Sequence, residues 1–149
     1  MEDGVVIELD EELHFNRYRL AMLAPAWTES LPWRSTYAAM CADREGDCLA
    51  AGRWGKRWTN PSCEAHFDAP DRPGEFTSGG SPRWKQRALY DAIKDAACLS
   101  DLGLQLARVA THDRVGPSTL GAVLDGAARV TPDEVADLVR SRTFGSFDS

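Results

Sequence analysis

Val115-Gly-Pro-Ser-Thr-Leu-Gly-Ala-Val-Leu-Asp-Gly126 is the stretch on which the fold reading turns. A proline suited to a first helical turn opens it, and a glycine suited to a helix end closes it. Helical spacing then sets Leu120, Val123 and Leu124 on one side and leaves Ser118, Thr119 and Ala122 on the other. A short helix with a small, polar outer face has the form of a recognition helix, and compact bundles of short helices commonly build such units.

Working outward, three further helices are expected around it. Ser81 and Pro82 supply an N-cap and a first-turn proline for an amphipathic helix carrying Trp84, Ala88, Leu89, Ala92, Ile93, Ala96 and Ala97, with Gly103 separating it from the next segment. Leu104 to Thr111, with Leu104, Leu106, Ala107 and Ala110, is expected as the second helix. Thr131-Pro-Asp-Glu134 opens the fourth, because Thr131 can cap while Glu134 stands at the reciprocal capping-box position. Val135, Leu138 and Val139 supply its buried face. The tail from Thr143 is small and polar apart from Phe144 and Phe147.

The segment Pro70-Asp-Arg-Pro-Gly-Glu-Phe-Thr-Ser-Gly-Gly80 has the composition of a linker. Upstream of it the reading is β-rich. Val5 to Leu9 is a β-branched run, and Phe15 to Leu23 alternates in the period of a half-buried strand. Pro25 to Trp33 reads as a connecting loop. Ser35 to Cys41 and Cys48 to Trp54 flank Ala-Asp-Arg-Glu-Gly-Asp, which reads as a hairpin.

Cys41, Cys48, Cys63 and His66 form the pattern C-x6-C-x14-C-x2-H. Three thiols and an imidazole supply the ligand types of a closed tetrahedral zinc site, which would staple a loop-rich module, although zinc knuckles use shorter Cys–Cys spacings. Buried thiols without a ligand are the alternative, and Cys98 is most simply a core thiol. Trp33, Trp54 and Trp58 lie among Arg34, Arg53, Lys56 and Arg57, so they either stack on exposed bases or close the core of a small sheet.

The chain has 149 residues, net charge −6 and 43% hydrophobic content, enough for one ordinary domain or two very small ones. No apolar run of about 18 residues and no secretory leader is present, so a cytoplasmic, non-membrane protein is expected. Residues 1 to 82 hold 8 Lys/Arg against 14 Asp/Glu, while residues 83 to 149 hold 9 of each. The excess of acid therefore excludes a simple coat for nucleic acid but leaves the C-terminal half open to DNA. H-E-x-x-H, a phosphate-cradling glycine loop, G-x-S-x-G and a deaminase P-C-x-x-C are all missing, so catalysis is not expected.

Leu106-Ala-Arg-Val-Ala110, Pro117-Ser-Thr-Leu-Gly-Ala-Val-Leu-Asp-Gly126 and Val130-Thr-Pro-Asp-Glu-Val135 together resemble the Cro/repressor-type helix-turn-helix proteins common in actinobacteria and their phages. The connection Thr111 to Pro117 is longer than that family's tight turn. The resemblance implies that Ser118, Thr119 and Ala122 face DNA, with Arg114 and Arg129 on the phosphate backbone. Simple capping by Ser118 and Thr119 is the competing reading.

Taken together these features predict an α+β chain, with a β-rich, zinc-stapled module over 1–70, a linker over 71–80, a bundle of four short helices over 81–142 and a tail over 143–149. The expected function is a DNA-binding regulator whose N-terminal module dimerises or senses. The alternative is a non-enzymatic structural or interaction protein, phage-derived, that binds protein or a second copy of itself instead of DNA.

Overall fold

The computed structural model describes residues 4–100 and 104–145. Gly103 and Phe147, to which the sequence reading gave roles, lie outside them. The chain groups into two compact units. The first contains residues 1–11, 30–33 and 95–149, and the second contains residues 12–29 and 34–94.

The first unit is built on a three-stranded sheet of order β1-β2-β5. β1 (Val5–Asp10) pairs in parallel with β2 (Gln105–Ala110), from Val5↔Gln105 to Asp10↔Ala110. β5 (Thr143–Phe144) pairs with β2 antiparallel through Leu106↔Phe144 and Ala107↔Thr143. β2 is thus the central strand, and residues 106–110 are all buried. A parallel strand covered on both faces reads as a continuous apolar run, which is why Leu104 to Thr111 mimics a helix in sequence.

After β2 comes a small hairpin, β3 (Arg114–Val115) with β4 (Ser118–Thr119). Its two connecting residues are Gly116, at φ +56°, and Pro117. Glycine first with positive φ is the requirement of a two-residue type II′ hairpin, so Pro117 serves a turn and does not open a helix. α5 (Leu120–Leu124) is five residues long and begins after Thr119, whose hydroxyl accepts from the Ala122 amide. α6 (Pro132–Ser141) starts as the sequence predicts. Thr131 and Glu134 form a complete capping box. Val130, Val135, Leu138 and Val139 of this region pack on buried Val109, Val115 and Leu120.

The second unit is helical. α1 (Arg17–Leu23) is capped by Asn16, whose side chain accepts from the amides of Tyr18 and Arg19. α2 (Arg34–Gly52) buries Tyr37, Cys41, Cys48 and Gly52, at spacings of whole helical turns. α3 (Pro61–Phe67) is capped by Asn60. α4 (Pro82–Cys98) begins after Ser81, whose hydroxyl accepts from the Trp84 amide at 3.2 Å. Residues of α4 through 94 belong to this unit, and those from 95 to the first.

Residues 71–80 lie inside the second unit and are not a linker. The Asp71 carboxylate accepts from the amides of Thr77, Ser78, Gly79 and Gly80, at 2.6, 3.0, 3.1 and 2.7 Å. Phe76 then joins an aromatic cluster with Trp58 (centroids 5.5 Å) and Trp84 (5.9 Å). Trp58 and Trp84 meet edge-on at 5.2 Å.

The expected arrangement, a β module followed by four helices, is therefore corrected. The described residues contain six α-helices, most of them between β1 and β2, with strands interspersed. Ser35–Cys41 and Cys48–Trp54 form no hairpin because they belong to one helix. Its alanines Ala38, Ala39, Ala42, Ala50 and Ala51 are strong helix formers, and Gly46 is a tolerated interior glycine, not a turn.

Candidate functional site

The four residues assigned to zinc are not gathered. Cys41 and Cys48 sit seven residues apart on α2, which at 1.5 Å per residue separates them by roughly 10 Å along the axis. Tetrahedral ligands must all lie about 2.0–2.3 Å from one ion. Cys48 is in the aromatic core with Trp58 and Trp84, Cys63 donates to Gln86 Oε1 at 3.2 Å, and His66 is exposed. Among the described residues, no group of three metal-ligand side chains includes a cysteine or His66. Burial pushes the Cys41 thiol up to about 11 and the Cys48 thiol up to about 12, the reverse of what a metal ligand needs. Cys98, as expected, is a buried thiol.

The residues assigned to DNA do not share a helix face. Ser118 and Thr119 are half-buried in β4, and Ala122 is half-buried in α5. Arg114 is exposed in β3 and donates to the Pro117 carbonyl. The shallow depression beside it is walled by Glu134 and Asp137 as well as Arg114. Arg129 is exposed in the loop before α6. Thr119 performs the capping role weighed for it in the sequence reading.

Of the tryptophans, Trp33 and Trp58 are buried, whereas Trp54 is 62% exposed with the Arg53 guanidinium 4.8 Å from its ring centre. Two of the three are thus core residues, but Trp58 packs with Cys48 and Trp84 among helices and not under a small sheet. Trp27 is the other exposed tryptophan, at 42%, and no aromatic contact joins it to Trp54 among the described residues, whereas a stacking platform for a strand of bases needs successive aromatic rings along a groove.

What the second unit does assemble is an apolar surface over α1. Short as it is, α1 buries only Arg19 and Leu23. Its outer side borders two depressions. One, of about 450 Å³, lies against α2 and is lined by Arg17, Leu20, Ala21, Leu23, Ala24, Arg34, Ser35 and Ala38. The other, of about 290 Å³, lies against α4 and is lined by Tyr18, Ala21, Met22, Phe67, Lys85 and Leu89. Ala21 lines both, so the two depressions adjoin across α1. Leu89, Tyr90 and Ile93 continue the apolar character along α4, at 36, 54 and 56% exposure.

The charge of this surface runs against that of the chain. Its walls carry Arg17, Arg34 and Lys85 and no carboxylate, although the protein's net charge is −6. Arg17 is committed to Glu45 through two hydrogen bonds of 2.8 and 2.7 Å, which hold the Glu45 carboxyl below its usual range. Arg34 is held by neutral acceptors, its Nε donating to the Leu23 carbonyl at 3.1 Å and Thr28 Oγ1 at 3.0 Å. Lys85 Nζ reaches the Phe67 carbonyl at 3.4 Å. Among the described residues neither Arg34 nor Lys85 has a carboxylate partner.

The sequence assigns none of these residues to a protein-binding surface, Arg34 being read only beside the tryptophans and Leu89 and Ile93 only as the apolar side of α4. Tyr18, Leu20 and Met22 alternate like a strand, which obscured that Leu20, Ala21 and Ala24 share the outer side of a helix capped by Asn16. The one available signal was Asn16 itself, an N-cap residue two positions before the run.

No described helix is long and apolar enough to cross a membrane. Neither the curated proteins nor the solved structures contain a match to the chain. Residues 1–127, spanning both units but ending before α6, match the family described as "Family of unknown function (DUF7255)", and the chain belongs to that family.

Proposed function

We propose that this protein works by binding another protein, and that the surface over α1 takes an acidic, amphipathic helical segment of that partner. The observation that carries the reading is the pairing of two adjoining apolar depressions with Arg34 and Lys85, cations lacking carboxylate partners among the described residues. Apolar side chains one turn apart on a partner helix would enter the two depressions on either side of Ala21. Carboxylates flanking them would meet Arg34 and Lys85, giving orientation and on-rate more than affinity. The same proposal sets the protein in a reducing compartment such as the cytoplasm, because all four cysteines are free and buried.

The test is a peptide-display selection against the full chain, followed by titration of the selected peptides. Enriched peptides should combine apolar residues at i and i+4 with flanking acids. Leu89→Asp and Ala21→Glu should each weaken them at least tenfold, and Lys85→Glu should weaken them and flatten their salt dependence. Selection of peptides lacking acids, or binding indifferent to Leu89→Asp and Ala21→Glu, would overturn the reading. So would a duplex-DNA shift abolished by Arg114→Ala and Arg129→Ala.

A further inference from the structure

Among the described residues β1 is an edge strand of the sheet. It pairs with β2 on one side only. The Thr111 amide donates to the Asp10 carbonyl at 3.0 Å, so Asp10, and with it Glu8 and Val6, direct their backbone groups toward β2. Strand geometry then turns the amides and carbonyls of Val5, Ile7 and Leu9 outward. Among the described residues, no backbone or side-chain group pairs with them. Ile7 and Leu9 are open on one face at 54 and 43% exposure, and Val6 on the other at 43%, where it is followed by Glu8 and the buried Asp10. Natural edges are usually blunted by lysine, proline, a bulge or charge; Val5-Val-Ile-Glu-Leu-Asp10 has no lysine, proline or bulge, and its two acids lie on the Val6 face, away from Val5, Ile7 and Leu9.

We infer that β1 pairs antiparallel with β1 of a second copy, about a two-fold axis at Ile7, joining the two three-stranded sheets into one. An outward row of donors and acceptors is satisfied by a strand and not by a helix, and the sequence of β1 complements itself. In the Ile7-centred register Ile7 faces Ile7 and Val5 faces Leu9, so all three outward residues of each copy exchange hydrogen bonds. Their side chains also form a continuous apolar patch on one face. Val6 stands opposite Glu8 of the second copy on the other face. A slip of two residues loses a bonded pair, and in one direction it sets Glu8 against Glu8, a destabilising like-charge pair. An interface is isologous when each copy offers the same patch, as here. This inference concerns the first unit and stands independently of the surface over α1.

The experiment is sedimentation equilibrium of the full chain over a concentration series, with circular dichroism confirming that each variant is folded. The wild type should pass reversibly from the 16.4 kDa chain mass to twice that value. Ile7→Lys sets two cations at the axis and should weaken association at least tenfold. Val6→Lys sets a cation opposite Glu8 of the second copy, twice per dimer, and should hold or tighten the dimer at low salt, whereas Val6→Glu should weaken it. Because Val6 and Ile7 are both exposed, none of these changes threatens folding. A chain that stays monomeric throughout the series, or loses its dimer equally on Val6→Lys and Ile7→Lys, overturns the inference.

Discussion

Arg108 Nη1 lies 2.6 Å from Asp10 Oδ2, with both side chains essentially sealed from solvent. The same guanidinium reaches Asp95 Oδ1 at 2.7 Å through Nε. The cation at the centre of β2 thus ties the end of β1 to the last turn of α4. A pair this deeply buried gains little over a well-packed apolar core, but removing the cation takes a charged partner from two carboxylates in a low-dielectric interior. Arg108→Met should therefore cost roughly 3–5 kcal/mol in urea unfolding. A loss under about 1 kcal/mol would mean that water reaches the site.

Asp71 organises the loop before α4, chiefly with its carboxylate, while its amide donates to the Gly80 carbonyl and its carbonyl accepts from Trp58 Nε1, each at 3.0 Å. Four backbone amides hold its carboxyl well below its usual value, the Gly80 amide foremost. A group whose folded pKa is depressed contributes stability that is present above its unfolded value, near 3.8, and is lost as pH falls through the folded value. Loop protection should accordingly persist through mild acid, down past the range where ordinary aspartates protonate. Asp71→Asn should remove it at neutral pH. Limited proteolysis checks both statements. The wild type should resist cutting between Arg72 and Gly80, and Asp71→Asn should be cut there first.

That loop also marks where the sequence stops being legible. Its prolines and glycines have linker composition, and only the structure reveals a carboxylate gathering four amides and Phe76 returning to the tryptophans. Signals confined to one turn of chain were readable. Ser81-Pro82 opens α4, Thr131-Pro-Asp-Glu134 opens α6, and Val5 to Leu9 is a strand. Signals set by tertiary surroundings were not. Buried on both faces, β2 loses the alternation that identifies a strand. α1 buries so little that its apolar residues follow no helical stripe, and the same sparse burial leaves the candidate docking surface exposed. The cysteines are ambiguous for a related reason, since the seven-residue spacing of Cys41 and Cys48 matches two turns of α2 as well as it matches a ligand pair.

The thiols give a direct check on the metal reading. Cys41, at about 11, and Cys48, at about 12, are kept neutral by burial. Both should react with a disulfide reagent at pH 8 only as fast as the protein opens, and a chelator should not change that rate. Chelator-accelerated labelling with release of zinc would instead restore metal ligation. Since the folded state favours the neutral thiols, their contribution is intact below an unfolded pKa near 9. It should fade as pH rises toward 11–12.

Gly116 and Gly80 share a φ of +56°, so an alanine at either meets the same left-handed strain, about 1–2 kcal/mol. What differs is the space around them. A Cβ on Gly116 would meet Glu134 Oε1 at 2.6 Å, the far end of a flexible side chain that can shift about its capping-box bonds from Thr131 to Oε2. A Cβ on Gly80 would overlap Tyr18 Oη. Tyr18 cannot retreat as easily, because its ring packs against Phe76 and its hydroxyl accepts from the Ser81 amide at 3.3 Å. Gly116→Ala should therefore cost little beyond the backbone term, and Gly80→Ala clearly more. Removing the offending oxygen supplies the decisive comparison. In a double-mutant cycle Tyr18→Phe should recover part of the Gly80→Ala loss and none of the Gly116→Ala loss. Equal costs for the two alanines, or no coupling between positions 18 and 80, would show that the loop yields at Gly80 and that Tyr18 does not fix its path.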